Sequence, residues 1–309
     1  MTAENVSTQY FHEYFAEWMG IYKLGAVRPV TYRKYVMTSR RLAELAPDLR
    51  VCELDKRSYQ TIINDYARTH EKQTTLDFHH HLKSAIMDAI DEGMLASDPT
   101  RKVIIKGKPP VGEKAKYLSL FELRALLGQL SFADEPDWDW FILLVAKTGL
   151  RFSEALALSP QDFDFTRHKI RIVRTWDYKS AAGGFSGTKN PSSTRTISID
   201  PVLSGQFLNL SRDRAEDKLL FVEGRVFNAA VNKRLRALCI KAGVPEISLH
   251  CLRHTHASML IFAGVSIASI AKRLGHSNVT TTQETYLHII RELESRDNDT
   301  IIMHLSALI

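Results

Sequence analysis

Residues 250–254 read H-C-L-R-H, and they stand at the start of a stretch whose apolar spacing predicts a helix. Two short motifs follow, L-G-H at 274–276 and T-Y at 285–286, and Arg151 lies upstream. These positions supply arginines, histidines and a tyrosine within one half of the chain. Such a set is suited to breaking a phosphodiester of DNA.

The chemistry explains why these residue types are needed. A phosphodiester carries a negative charge that deepens as an oxygen attacks phosphorus, so the catalyst needs cationic and hydrogen-bonding groups fixed around it, and a nucleophile. The guanidinium of arginine holds two phosphate oxygens at once and stays charged at any working pH. Two arginines, two histidines, one lysine and one tyrosine would fill every role, and no cofactor is needed.

The remaining histidines do not predict a metal site. His254 and His256 are two residues apart and therefore point to different faces of a helix. His79, His80 and His81 are consecutive and also lack the spacing of a joint ligand set. We expect no bound metal.

Length and composition limit the classes of protein. A chain of 309 residues predicts two domains, and a formal net charge of +6 favours a polyanionic partner to a modest degree. Three cysteines without a C-x-x-C pair indicate a reducing compartment. The N-terminus is polar and acidic, and no apolar run approaches the roughly 18 residues of a membrane span. These features predict a soluble intracellular protein that has no membrane partner.

The first hundred residues have the apolar spacing of amphipathic helices. The predicted helices are Tyr10 to Met19, Thr31 to Leu45, Lys56 to Thr69 and Thr74 to Glu92. Gly93 then stands where a helix-ending glycine is expected, and Asp98-Pro99 blocks continuation. Residues 1–105 are predicted to form an all-helical domain.

A basic stretch rich in proline and glycine, 101–116, separates this domain from the rest. It predicts an extended linker at 106–117 whose lysines are available to phosphates. A solvated linker that contacts nothing is the alternative. The candidate DNA-binding residues are Lys102, Lys106, Lys108, Lys114 and Lys116.

Residues 118–309 form the second predicted domain. Ser119 and Glu122 predict a capping box for a helix that runs through Leu130. Trp138 to Lys147 is apolar enough for a buried helix that ends at Gly149, so Arg151 is expected just beyond a rigid core element. Further helices are predicted at Ser153 to Leu158, Arg225 to Ala242, Leu249 to Ala263, Ser266 to Leu274 and Thr280 to Ile290.

Two segments alternate as strands do, Lys169 to Tyr178 and Thr194 to Ile199. They predict a small antiparallel sheet whose hairpin loop, at 180–193, carries Lys189. The predicted fold class is therefore mainly α with a small antiparallel β-sheet (α+β).

Five motifs together resemble the catalytic domain of the tyrosine recombinases, the phage integrase family, over Leu118 to Ile290. Their order and relative spacing agree with the family pattern. They are T-G-L-R-F-S-E-A-L (148–156), T-K-N-P-S-S-T-R-T-I (188–197), H-C-L-R-H-T-H-A (250–257), L-G-H-S (274–277) and T-Y-L-H (285–288).

The resemblance implies an architecture for the whole chain. Residues 1–105 would be the core-type, SAM-like DNA-binding domain, inferred mainly from position, and the two domains would form a C-shaped clamp on DNA. Many members carry an arm-binding domain ahead of this one. This chain begins almost directly in the helical domain, which leaves open a simpler recombinase or a truncated chain.

The resemblance also assigns the central roles. Tyr286 would attack the scissile phosphate, leaving a 3′-phosphotyrosyl link and a free 5′-hydroxyl, and Arg151 and Arg253 would clamp the non-bridging oxygens. His250 would hydrogen-bond the phosphate or take the tyrosine proton. His276 would donate to a non-bridging oxygen.

Two further roles are less sharply assigned by the resemblance. Lys189 would protonate the departing 5′-oxygen, with Lys179 as the competing candidate. Glu154 would orient Arg151 or a histidine, although it could equally cap its helix.

The tail combines a charged segment, 291–299, with an apolar one, 300–309. A short apolar terminal helix packs on its own core or on a neighbour. The resemblance implies the second, with a helix at about 292–309 exchanged between subunits of a homo-tetramer on DNA. Docking within one chain remains the alternative.

The expected function is site-specific recombination through a Holliday junction, which would integrate or excise a mobile element. The expected partners are double-stranded DNA with attachment sites and accessory DNA-bending or excision factors, in the bacterial cytoplasm at the nucleoid. A type IB topoisomerase and a catalytically idle DNA-binding regulator are the alternatives. The apolar tail and the T-G-L-R and L-G-H forms favour the recombinase, and a binder has no need of Tyr286.

Overall fold

The computed structural model describes residues 8–109, 115–180, 182–187, 191–280 and 282–286. The chain divides into two compact units, Met1–Glu113 and Lys114–Ile309. The division falls within the stretch 106–117 that the sequence assigns to a linker.

The first unit is helical throughout the part that the structure describes. It contains α1 (Phe11–Tyr22), α2 (Pro29–Leu45), α3 (Lys56–Ala67), α4 (Lys72–Asp91) and a 3₁₀ turn at Val51–Glu53. The helices predicted from apolar spacing are confirmed, with ends that differ by a few residues. Gly93, after α4, takes the left-handed conformation (φ +77°) expected of a helix-ending glycine.

The core of this unit is built from the predicted apolar faces. Phe11, Phe15 and Trp18 of α1 are buried against Leu42 of α2 and Phe78 of α4. Burial of such large side chains stabilises the unit by about 1.5–3 kcal/mol each. The first unit therefore has a hydrophobic core of its own.

The stretch after α4 packs on the first unit, including residues 107 and 108 of the predicted linker. Val103 and Ile105 are partly buried against the core of the first unit, and the Lys108 N–H donates to the His70 carbonyl at 2.8 Å. Gly107 touches the start of α4 so closely that an added Cβ would lie 2.2 Å from the Lys72 nitrogen. Residues 103–108 are thus packed on the first unit, because the apolar side chains of Val103 and Ile105 are partly buried against its hydrophobic core.

The candidate DNA-binding lysines keep their side chains accessible despite this packing. The exposed ones are Lys102, Lys106, Lys108 and Lys116. Lys114 lies outside the described residues.

The second unit is mainly helical with short strands. Its helices are α5 (Leu120–Leu127), α6 (Trp138–Thr148), α7 (Phe152–Leu156), α8 (Pro201–Ser211), α9 (Asn228–Ala242), α10 (Leu249–Phe262) and α11 (Ile267–Leu274). Its strands are β1 (Phe163–Asp164), β2 (Lys169–Ile172), β3 (Arg174–Trp176), β4 (Phe185–Gly187) and β5 (Arg195–Ser198), with 3₁₀ turns at Pro160–Asp162 and Pro191–Ser193. Residues 282–286 are helical, and the rest of the helix predicted to reach Ile290 lies outside the described residues.

The sheet confirms one predicted pairing and corrects another. Strand β2 pairs antiparallel with β5, with Ile170 opposite Ile197, and also with β1. The predicted strand from Lys169 to Tyr178, however, breaks at Val173, and β3 pairs instead with β4 inside the predicted loop.

An ion pair stands at the break. Arg174 follows Ile170 and Ile172 in the same alternating register, and its guanidinium lies 3.0 Å from the carboxylate of Asp162. An arginine is unfavourable in a row of buried apolar side chains, and this ion pair gives its charge a partner outside that row.

Helix α6 is the central element of the second unit. Asp137 caps its first turn by accepting the N–H groups of Asp139 and Trp140 at 2.9 and 3.0 Å, and Gly149 ends it in the left-handed region (φ +69°). Nearly all of its side chains are buried, as its apolar composition predicts. The helix of the capping box, α5, ends at Leu127, followed by Gly128, rather than at the predicted Leu130.

His256 of α10 joins several of these elements. Its Nε2 accepts the Nε–H of Arg273 at 2.9 Å, so its proton resides on Nδ1, which donates to the Ala146 carbonyl at 3.1 Å. Arg273 also donates to the Ser198 carbonyl at 2.9 Å. One neutral imidazole thereby connects α6 and α10 to the end of α11 and the end of β5.

Gly149→Ala should destabilise the protein by about 2–4 kcal/mol, because the left-handed backbone is unfavourable for alanine and because the core is already filled there. An added Cβ would lie 2.7 Å from His256 Cδ2 and 3.0 Å from Leu274 Cδ2. Gly205→Ala in α8 is the matched control, since nothing lies within 4 Å of its Cβ position. Urea denaturation of the two variants measures the difference, and equal stabilities would contradict this account.

Acid should weaken the His256 contacts. Burial and the charge of Arg273 lower the pKa of His256 from 6.5 to about 4. As the pH falls, His256 is therefore protonated in the unfolded chain at a higher pH than in the folded protein. The free energy of unfolding then decreases as the pH drops from 6.5 towards 4. The stability advantage of the wild type over His256→Asn should shrink by up to about 3 kcal/mol across this window. Urea denaturation at pH about 7 and about 4.5 tests this, and a constant advantage would refute it.

Candidate active site

Arg151 lies directly beyond the end of α6, at the N-cap of α7. Its guanidinium donates to Glu154 Oε1 at 2.7 Å and to the Gly275 carbonyl at 3.1 Å. The side chain is 31% exposed, so part of the guanidinium faces solvent. This arginine is held in place and still accessible to an anion.

Arg253 of α10 is the more buried of the two predicted arginines, with 4% of its surface exposed. It donates to the carbonyl oxygens of Gly149 and Leu274, at 2.6 Å each. Burial and the charge of Arg151 lower the pKa of Arg253 to about 9, so it remains a cation at neutral pH. The T-G-L-R and L-G-H motifs therefore hold the arginine of H-C-L-R-H through their backbones.

Glu154 lies beneath the arginines and is 1% exposed. Its carboxylate accepts the Arg151 N–H at 3.0 Å and two N–H groups of Arg195 at 3.0 and 3.1 Å. Burial alone would raise its pKa, but the hydrogen bonds and charge of Arg195, with the charge of Arg151, hold it below the ordinary value. Glu154 thus both caps α7 and orients Arg151, the two roles left open by the sequence.

Sequence reasoning did not single out Arg195. It lies on β5 at an inward position and also donates to the Arg273 carbonyl at 2.6 Å. The available signal was its place in the alternating segment 194–199, in register with the buried Ile197. An arginine at an inward strand position needs a buried anion, and Glu154 is that anion.

A cavity of about 260 Å³ lies beside the two arginines. Its lining includes Arg151, Tyr178, Asn228, His250 and Arg253, and we call it the arginine cavity. His250 is exposed at its edge. Partial burial, together with the charges of Arg253 and Arg151, lowers the pKa of His250, so the imidazole is neutral at pH 7 and can donate or accept a hydrogen bond.

His276 lies on the other side of Arg253. Its Nε2 accepts from the Arg253 guanidinium at 3.1 Å, which leaves Nδ1 to donate to the Thr282 hydroxyl at 2.7 Å. Burial and the charge of Arg253 lower the pKa of His276 to about 4. The neutral ring therefore connects the L-G-H motif to the helix that carries Tyr286.

Tyr286 is buried, with 2% of its surface exposed. Its ring packs in an apolar cluster, and burial raises the pKa of its phenol to about 12, although the charge of Arg253 opposes the rise. Its hydroxyl lies 2.9 Å from His254 Nδ1. Sequence reasoning left His254 without a role; the signal was its position one helical turn after His250.

The described structure brings five predicted site residues into one region of the second unit. They are Arg151, His250, Arg253, His276 and Tyr286. Lys189 lies outside the described residues. Its competitor Lys179 is exposed, and its ammonium lies 5.8 Å from the ring centre of Tyr178, which lines the arginine cavity.

No group of three or more His, Cys, Asp or Glu side chains in the part of the chain that the structure describes could hold a metal ion. Within the same ranges, no helix is long and apolar enough to cross a membrane.

Sequence comparison identifies relatives of this chain. A tyrosine recombinase XerC-like protein of Caldanaerobacter subterraneus subsp. tengcongensis is 26% identical over 307 residues, covering 87% of this chain and 75% of the relative. An integrase of Staphylococcus phage L54a is 24% identical over 333 residues, covering 96% and 94%.

Comparison with solved structures also identifies an integrase. The integrase of transposon Tn1549, solved in complex with a circular intermediate DNA, matches with a TM-score of 0.78 at 18% identity, covering 93% of this chain and 99% of that one. At this identity the match shows a shared fold, mainly α with a small antiparallel sheet.

The sequence profile of the phage integrase family matches residues 116–292, which is more than half of the chain and contains every motif quoted above. The chain therefore belongs to the phage integrase family, the tyrosine recombinases, and is an enzyme of site-specific DNA recombination.

Proposed function

We propose that this recombinase cleaves DNA with Tyr286 and rejoins the strands through a 3′-phosphotyrosyl intermediate. The observation that carries the proposal is the convergence of Arg151 and Arg253 on one cavity, with His250 at its edge and His276 beside Arg253. Two guanidinium groups with fixed orientations can hold both non-bridging oxygens of a phosphodiester. The scissile phosphate would occupy the arginine cavity.

The electrostatics favour an anion at this position. The cation on Arg253 is disfavoured by burial and by its neighbour Arg151, as its lowered pKa records. A phosphate between the two arginines would relieve this repulsion, and it would do so most strongly as negative charge grows on the attacked phosphorus centre. The site would therefore stabilise the transition state more than the substrate.

The proposed reaction balances without a metal or an external energy source. The Tyr286 oxygen gives its proton to a neutral imidazole, for which His250 is the candidate, and forms a bond to phosphorus. The bond from phosphorus to the 5′-oxygen breaks, and a general acid protonates that oxygen. The phosphotyrosyl bond conserves the energy of the phosphodiester, so a 5′-hydroxyl of another strand can reverse the step. The neutral imidazole of His250 would donate to the phosphate. When the phosphate takes over the Arg253 N–H, His276 would carry its proton on Nε2 and donate to a non-bridging oxygen, while its Nδ1 accepts from the Thr282 hydroxyl.

Lys189 is our candidate for the general acid, on the family resemblance of the T-K-N-P-S-S-T-R-T-I motif. Lys179 is the alternative, since it is exposed next to Tyr178 at the arginine cavity. Either ammonium group could protonate the departing 5′-oxygen.

Duplex DNA with specific attachment sites is the proposed partner. The exposed lysines Lys102, Lys106, Lys108 and Lys116 would contact the phosphate backbone, and the net charge of +6 supports the same assignment. The related Tn1549 integrase was solved with DNA. We assign residues 1–105 to core-type DNA binding and 118–309 to catalysis.

Recombination joins two sites, so the proposed assembly is a homo-tetramer that passes through a Holliday junction. The helix expected at about 292–309, which lies outside the described residues, would be exchanged between subunits. We propose that the enzyme integrates or excises a mobile element at the bacterial nucleoid, with accessory DNA-bending or excision factors. The phage L54a integrase among its relatives supports the mobile-element assignment.

Covalent trapping tests the nucleophile. Incubation of the full chain with nicked duplexes, taken from the DNA that flanks its own gene, should give a slow-migrating adduct on a denaturing gel. Tyr286→Phe should abolish the adduct, because the variant keeps the ring but lacks the attacking oxygen. Tyr117→Phe, another tyrosine of the same unit, should retain it. An adduct that survives in Tyr286→Phe would refute the assignment.

A sulfur-containing substrate tests the general acid. A 5′-bridging phosphorothiolate has a leaving group that needs no proton, so it should restore cleavage to a variant that lacks the acid. We expect Lys189→Ala to lose about 100-fold or more on normal DNA and to recover on the phosphorothiolate, with Lys179→Ala close to wild type. The opposite pattern would transfer the role to Lys179.

A further inference from the structure

The Tyr286 hydroxyl lies against a histidine that the reaction scheme above does not use. We propose that His254 is a positioning residue that accepts the hydrogen bond of the Tyr286 phenol through Nδ1 and thereby aims the oxygen for attack. The inference rests on the proposed role of Tyr286 as the nucleophile. It concerns the placement of the oxygen before attack, while the phenol still carries its proton.

The contact between the two side chains is direct. His254 Nδ1 and Tyr286 Oη are 2.9 Å apart, well within hydrogen-bond distance, and the two rings meet edge to face at 5.8 Å between centroids. Within the ranges that the structure describes, this is the hydrogen bond that the hydroxyl makes. Among the described residues, His254 is therefore the hydrogen-bonding partner that fixes the direction of the phenol oxygen.

Helix α10 presents a continuous surface to Tyr286. His250, His254, Ala257 and Ile261 stand at positions i, i+4, i+7 and i+11, which lie on one face of a helix. Ala257 and Ile261 are buried with the Tyr286 ring in one apolar cluster. His254 lies between these apolar contacts and His250. At this position its imidazole can form a hydrogen bond with the hydroxyl of Tyr286.

The apolar cluster alone would hold the ring without fixing its hydroxyl. Ile270 and Leu274 of α11 complete the cluster around the ring, and a phenylalanine would satisfy the same contacts. A buried hydroxyl without a partner would cost free energy, so His254 is the group that makes a tyrosine acceptable here. The same hydrogen bond limits the direction in which the reactive oxygen can point.

The protonation state of His254 agrees with the acceptor role. Burial, followed by the charges of His250, Arg253 and Lys116, lowers the pKa of His254 to about 4. The ring is therefore neutral at pH 7, and with its proton on Nε2 the Nδ1 lone pair is free to accept from the phenol. An imidazolium could only donate, and it would add a further cation next to Arg253.

His254 also places the hydroxyl close to the arginine cavity. Its ring meets that of His250 edge to face at 4.7 Å between centroids, and His250 lines the cavity together with Arg151 and Arg253. His254 thus contacts both the phenol oxygen of Tyr286 and His250, which lies at the proposed phosphate site. A small error in the placement of a nucleophile is costly, since about 1 Å can reduce a rate about 100-fold.

Three substitutions at this position separate hydrogen bonding from bulk. His254→Ala removes the acceptor. His254→Asn places an amide oxygen at the position of Nδ1, because both atoms are bonded to Cγ. His254→Gln carries its polar atoms one bond further out, near the position of Nε2, and serves as the matched control of similar size.

The first measurement is the rate of adduct formation by each full-length variant on the nicked duplex that the wild type cleaves. We expect about a 10- to 100-fold loss for His254→Ala and His254→Gln, and recovery to within about threefold for His254→Asn. The 5′-bridging phosphorothiolate should not rescue His254→Ala, because the defect lies at the nucleophile and not at the leaving group. Equal activity of the Asn and Gln variants, or a faster reaction of His254→Ala, would overturn the proposal.

The second measurement needs no DNA. 3-Fluorotyrosine placed at position 286 reports the environment of the phenol by ¹⁹F NMR, and its resonance should shift in His254→Ala and return towards the wild-type position in His254→Asn. An unchanged resonance in all variants would refute the hydrogen bond.

The two proposals fail in different ways. If Tyr286→Phe still forms the adduct, the proposed nucleophile is wrong whatever the His254 variants do. If Tyr286→Phe abolishes the adduct but the three His254 variants match the wild type, the nucleophile stands and only the positioning role is refuted.

Discussion

The hydrogen bonds from Arg253 to the carbonyl oxygens of Gly149 and Leu274 are the contacts on which the second unit depends. They join α10 to the ends of α6 and α11, so that three motifs distant in sequence meet around one buried cation. Arg151 repeats the pattern by donating to the Gly275 carbonyl. The left-handed conformations of Gly149 and Gly275 end their helices and place these carbonyls within reach of the arginines.

The same contacts explain how several cations can be packed together before DNA binds. Glu154 compensates Arg195 and Arg151 with a carboxylate held in its charged form, and backbone carbonyls satisfy the remaining N–H groups. The nearby histidines stay neutral, since their lowered pKa values avoid further positive charge. The remaining repulsion is between Arg151 and Arg253 and lowers the pKa of Arg253. An anion bound beside Arg253 would offset this repulsion.

The helices were predictable because local rules govern them. Apolar spacing identified α1 to α4, the capping box identified the start of α5, and the terminal glycine identified the end of α6. Prediction failed where a distant partner decides the outcome. The strand that alternation alone would continue breaks next to Arg174, which pairs with Asp162, and Lys108 of the predicted linker donates its N–H to the His70 carbonyl of the first unit.

By itself the sequence determined the fold class and the family, and it predicted Arg151, His250, Arg253, His276 and Tyr286 as site residues, because motif order and spacing record which side chains the chemistry requires. Only the tertiary structure decided which of them touch and what supports them. The bidentate contact of Arg195 with Glu154 and the hydrogen bond of His254 to Tyr286 each join residues at least 30 positions apart. Such contacts depend on how helices and strands pack, and local sequence rules do not contain that information.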